Sequence, residues 1–189
     1  EMHPYYTSIA EACGDHLLAL KDTNPMNYLM EWFIESGISI AAAESCTGGM
    51  ISQSMVRNAG ASAVYNGSIN TYSNASKIQE LGISAELLET HGAVSEQCAQ
   101  EMAAAVRGKF GTDIGISSTG IAGPSGATDT KKAGTIYLAI SNGTDTMVKK
   151  FHLFGNRVQF MERSVNAMAF LIHLFLSKHY PFGPQKQVN

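Results

Sequence analysis

Cysteine is scarce and widely spaced. Cys13, Cys46 and Cys98 are an odd number far apart in the chain, which argues against a disulfide framework and favours a reducing compartment. There is no CxxC and no HxxxH pair, so no spacing points to a metal or a metal-borne cofactor. Clusters of Lys and Arg are also missing. With 13 basic against 16 acidic residues, a broad nucleic-acid surface is disfavoured, while a single pocket for a small anion remains open. The longest apolar run, AMAFLIHLFL at 167–176, is well short of the ~20 residues that cross a bilayer, and it carries His173. The first residues, EMHPYYTSIAEACG, lack the basic-then-apolar order of a secretory leader. The expectation is a cytoplasmic protein with no nucleic-acid or membrane partner and no cofactor.

What is present is enough apolar residue to build a core, 44% of the chain, with only 15% charged. A chain of 189 residues fits one domain with an added arm. Helical spacing over 7–21, followed by Asn24-Pro25, predicts an N-terminal helical arm over 1–24. The main domain is expected over 25–180 and a loose tail over 181–189. Within the domain, 26–36 reads as a helix stopped by Gly37, and ISIAAA at 38–43 as a buried strand. A helix is expected from about Gly48 to Arg57, and a strand over 63–72 with Gly67 as a bulge. Ser73 should cap the helix that follows, SAELLETHG should form a short helix, and Ser95 should cap 95–110. DIGISST at 113–119 is a second buried strand. GTIYLAISN and DTMVKKFHLF form a hairpin around Asn142-Gly143, with the second strand antiparallel near one side of the sheet. A long amphipathic helix runs over 157–178. Strands and helices interleave, which predicts an α/β three-layer α/β/α sandwich with a mixed sheet. Tyr28, Trp32, Phe33 and the stripe of the last helix are assigned to the core, although an interface would use the same residues.

Two segments leave a buried strand and enter glycine-rich turns, ESCTGG at 44–49 and STGIAGPSG at 118–126. In open α/β sheets ligands bind beyond the carboxyl ends of the strands, so both turns could line one crevice. Ser45 falls at the strand tip and is a candidate nucleophile if a base takes its proton. Glu44, His91 and a lysine are the candidate bases. Lys77 is the most interesting, because it sits in the first turn of a helix, where the dipole disfavours a second positive charge and burial would lower its pKa. Tyr72, at the strand exit, could relay or donate a proton. Cys46 is a rival nucleophile at a helix start, although a buried thiol is ordinarily inert.

These residues also carry a resemblance. AESCTGG, Tyr72-Ser73-Asn74-x-x-Lys77, HGAVSE at 91–96, TGIAGPSG at 119–126 and Gly155-x-Arg157 occur in an order and spacing similar to the CinA C-terminal domain family and its stand-alone nicotinamide mononucleotide (NMN) amidohydrolases. The likeness covers roughly residues 25–178 and does not extend to the separate N-terminal domain of full-length CinA proteins. It implies deamidation of NMN to nicotinate mononucleotide and ammonia without a metal, with Ser45 as nucleophile, Lys77 as general base and Tyr72 close by. Backbone amides from Cys46, Thr47, Gly48 and Gly49, or those of the second turn, would hold the oxyanion. Thr119, Gly120, Gly123 and Arg157 would hold the nucleotide and its phosphate. The sequence departs from the family at ATDTKKAG, where an extra glycine and a proline before Gly134 are usual, and at GNR in place of the commoner GDR. A non-catalytic nucleotide-binding module on the same scaffold is the alternative function. A homodimer is the default assembly.

Overall fold

The computed structural model describes residues 24–127 and 131–180. The expected N-terminal arm, apart from Asn24, and the expected tail lie outside the described residues. In chain order the elements are α1 (Pro25–Ser36), β1 (Ile40–Glu44), α2 (Met50–Val56), a short 3-10 turn (Ala61–Ala63), β2 (Tyr65–Asn70), α3 (Asn74–Leu81) and α4 (Ala85–His91). They continue with α5 (Glu96–Phe110), β3 (Ile114–Gly120), β4 (Thr135–Ser141), β5 (Thr146–His152) and α6 (Arg157–His179).

The sheet has the order β2-β1-β3-β4-β5. The first three strands are parallel, and β4 and β5 are antiparallel additions. Helices cover both faces, so the three-layer sandwich with a mixed sheet is what the chain forms. The burial of the strands explains their composition. β1 is buried throughout, which is why its sequence, IAAAE, shows no alternation. Ile40 and Ala42 face α1 and α6 together with Ile114, Ile116, Leu138 and Ile140. Ala41 and Ala43 face the opposite layer, against Cys98, Met102 and Val106 of α5. The edge strand β5 is half exposed, and its TMVKKFH puts Lys149 and Lys150 in solvent, a common guard against edge pairing.

Helix ends follow the sequence signals. Asn24 caps α1 through Met26 N, with Pro25 at the first helical position. Ser73, Ser84 and Ser95 accept from the third backbone N–H of α3, α4 and α5. Asn156 forms a capping box with Gln159 at the start of α6, so the Asn of GNR keeps the capping role an aspartate would fill. Tyr28, Trp32 and Phe33 are buried between α1 and the rest of the domain, as is the apolar stripe of α6. The bulge falls one residue from its expected place. Ile40 pairs with Tyr65 and Ala41 with Gly67, which leaves Asn66 as the extra residue of β2. Gly67 is needed beside it, because a Cβ there would stand 2.8 Å from the Phe110 ring and its φ is 142°.

The connection from β1 leads through α2 to β2 on one side, and the next leads through α3–α5 to β3 on the other. The strand order therefore reverses between β1 and β3. A crevice opens at such a reversal, outside the carboxyl ends of the strands. Among the described residues, no helix is long and apolar enough to cross a membrane.

Candidate active site

The turn after β1 begins with Ser45, whose N–H donates to Ser118 O of β3 at 3.0 Å. The chain then bends through Gly48 (φ 58°) and Gly49 (φ 97°) into α2, a left-handed pair that only glycine adopts without strain. Ser45 is 8% exposed and its hydroxyl faces a pocket of about 270 Å³. The walls come from four places: Ser45 and Cys46 after β1; Tyr72, Asn74 and Lys77 after β2; Ala93 and Val94 of the α4–α5 turn; and Thr119 to Ala122 with Ser125 and Gly126, at and beyond the end of β3. Arg157 of α6 closes one side.

Lys77 is the central feature. It is 1% exposed, with Nζ 3.0 Å from Ser45 Oγ, and Nζ donates to Thr71 O at 2.7 Å. Burial pushes its pKa below the ordinary lysine value, because the charged amine loses its water. A neutral amine has two N–H bonds and one lone pair. With one N–H on Thr71 O, the lone pair is available to the Ser45 proton.

The other expected residues fall into place unevenly. The Tyr72 ring is 67% exposed and its hydroxyl accepts from Arg157 Nη1 at 3.2 Å, so Tyr72 touches the arginine rather than the Ser45–Lys77 pair. Arg157 Nη2 donates to Gly123 O at 2.8 Å, so the guanidinium bridges the loops after β2 and β3 across the pocket. Thr119 and Gly120 line the pocket, and Thr119 Oγ1 is tied to Ala93 O at 2.6 Å. Gly123 contributes its carbonyl to Arg157. Cys46 lines the pocket but is no thiolate: burial raises its pKa to about 12.

The turn after β1 and the candidate bases divide differently. Thr47 is fully buried and its hydroxyl bonds to Glu44 and Ser118, so its side chain cannot meet a ligand. The amides of Gly48 and Gly49 are spent on Ser45 O and the Glu44 carboxylate. Those of Cys46 and Thr47 have no oxygen acceptor among the described residues, and neither do those of Ala122, Ser125 and Gly126 in the second turn. Glu44 is not a base toward Ser45, because its carboxylate is bound on all sides around the start of α2. His91 lies exposed on a separate hollow between α4 and α5, and its carbonyl accepts from Lys131. The Thr71 carbonyl is a site part that the sequence does not single out, while Asn74 and the Ala93-Val94 wall stand in the quoted motifs without an assigned role. For the last, the HGAVSE motif is the available signal.

These features define a class, a three-layer α/β domain with a buried serine–lysine pair at the strand-order reversal. The chain belongs to the CinA C-terminal domain family, which it matches across residues 23–175. It is 42% identical over 157 residues to a putative competence-damage inducible protein of Acetivibrio thermocellus, covering 83% of this chain and 38% of that one. It is 40% identical over 149 residues to a CinA-like protein of Dictyoglomus turgidum, covering 79% of this chain and 36% of the relative. The chain thus spans well under half the length of these curated relatives. Among solved structures, competence damage-inducible protein A of Klebsiella pneumoniae superposes with a TM-score of 0.79 at 31% identity, over 82% of this chain and 96% of that one. A CinA superfamily protein of Escherichia coli gives 0.77 at 28% identity, over 86% and 98%.

Proposed function

We propose that the domain is a serine–lysine amidohydrolase that converts NMN to nicotinate mononucleotide and ammonia. The observation that carries this reading is the buried Lys77 amine, held 3.0 Å from Ser45 Oγ with its pKa lowered by burial. A structural lysine would not ordinarily be buried without a carboxylate, and none of the ion pairs among the described residues involves Lys77. The choice of NMN rests on the family resemblance. The pocket supports it with a polar floor and one guanidinium at its side.

The neutral Lys77 amine takes the Ser45 proton as Oγ attacks the carboxamide carbon. The amides of Cys46 and Thr47 stabilise the resulting oxyanion. The C–N bond breaks as the Lys77 ammonium returns the proton to the leaving nitrogen, which departs as ammonia and leaves an ester on Ser45. Water, deprotonated by Lys77, then cleaves the ester to the carboxylate and restores the hydroxyl. Arg157 turns from Tyr72 and Gly123 toward the phosphate, for which its planar fork is suited.

Ammonia release from NMN tests the reading. Ser45→Ala and Lys77→Ala should each reduce kcat by at least about a thousandfold while the fold persists. Lys77→Arg should be equally inactive, because a guanidinium does not give up its proton. Turnover retained in any of the three would refute the roles of Ser45 and Lys77. Tight NMN binding without turnover in the parent protein would instead favour a binding module on this scaffold.

A further inference from the structure

Glu44 is the last residue of β1 and immediately precedes the candidate nucleophile. It is 1% exposed, and none of the ion pairs among the described residues involves it. Every contact of its carboxylate is with a donor. Oε2 accepts from Thr47 Oγ1 at 2.7 Å, Gly49 N at 3.0 Å and Ile51 N at 3.1 Å. Oε1 accepts from Ser52 N at 2.8 Å and from the Ser52 hydroxyl. Three of these donors are amides of the first turn of α2 or its cap, a natural seat for a negative charge. The backbone on the other side is fixed as well, since Glu44 O accepts from Thr71 N at 2.8 Å, next to the carbonyl that holds Lys77. Thr47 Oγ1 also meets Ser118 Oγ at 2.7 Å, and Ser118 O holds the Ser45 amide.

We infer that Glu44 is a positioning residue for the proposed hydrolysis: its carboxylate ties the 45–49 turn to the start of α2 so that Ser45 Oγ faces Lys77 and the amides of Cys46 and Thr47 remain free for the oxyanion. This rests on the amidase reading above. Glu44 touches neither Ser45 Oγ nor the Lys77 amine, so it exchanges no proton with the reacting groups. Its work is geometric, and a carboxylate is required because both oxygens must accept. A glutamine would turn one oxygen into an N–H donor aimed at other donors.

Glu44→Gln and Thr47→Val are compared with the parent in ammonia release from NMN, with calorimetric titration of NMN to count folded sites. Glu44→Gln should lose about 100-fold in kcat, the scale of an ångström-sized misplacement. It should keep one NMN site per chain, an unchanged KM and the parent's pH profile of kcat. Thr47→Val keeps the side-chain shape, removes the shared hydroxyl, and should lose about tenfold in kcat with KM unchanged. If Glu44→Gln does not fold, Thr47→Val decides alone. The inference is overturned if the variants that fold keep kcat within about twofold of the parent. It is also overturned if the loss lies wholly in KM, or if the pH profile of Glu44→Gln shifts, which would make Glu44 a proton-transfer group. A parent that releases no ammonia from NMN sinks the amidase reading and this role with it. An active parent with equally active variants sinks only the role of Glu44.

Discussion

Burying the Lys77 amine carries a cost to the fold, and the sign of that cost can be tested. Its folded pKa lies below the ordinary lysine value. In the pH window between that lowered value and the ordinary one, the unfolded chain binds more protons than the native one, so unfolding there takes up a proton. Stability rises with pH through that window. Lys77→Met, close in volume and with nothing to hydrate, should be inactive yet more stable than the parent at neutral pH. The difference should shrink as the pH approaches the ordinary lysine value, and chemical denaturation across that range measures it. An equal or lower stability at neutral pH would show that burying the amine costs nothing. The same pKa sets the activity profile: kcat should rise with pH on a limb centred below the ordinary lysine value. Arg157 and Tyr72 form a second residue-scale pair. Tyr72→Phe removes the hydroxyl that holds the guanidinium at 3.2 Å and should raise KM for NMN while changing kcat little. A collapse of kcat with KM unchanged would restore the proton-relay role read from the sequence.

At the scale of elements, α3 carries the base, and its start is fixed by the Ser73–Ser76 capping box one turn before Lys77. Ser73→Ala should cost about 1 kcal/mol in denaturant unfolding. Gly67→Ala in β2 should cost more than the usual strand substitution, because its Cβ would stand 2.8 Å from Phe110 and its φ of 142° suits only glycine; thermal unfolding reads this. Caps and turns are legible in the sequence because they depend on near neighbours along the chain: Ser73, Ser95 and Gly37 all act as read. Strand ends are less so. The first strand is expected over 38–43 but runs Ile40–Glu44, because pairing with β3 begins at Ile40 and Ile114, a register that local composition does not encode.

Across the whole molecule, the pocket exists because the sheet order reverses between β1 and β3, bringing together segments as distant as Ser45, Lys77, Thr119 and Arg157. Helix electrostatics and the family resemblance are enough to pair Ser45 with Lys77 from the sequence. They do not reveal that Thr47 and Glu44 face inward, because side chains of one short turn divide between pocket and core according to the backbone path through Gly48 and Gly49. For the same reason Glu44, a candidate base in the sequence, is a fastener of α2 in the fold. The central claim is that the amine beside Ser45 is uncharged more readily than an ordinary lysine. Its most direct test is an NMR titration of the Lys77 side chain labelled at Cε, assigned by comparison with Lys77→Met. The expected midpoint lies clearly below that of the exposed lysines Lys149 and Lys150; a midpoint equal to or above theirs would contradict the claim.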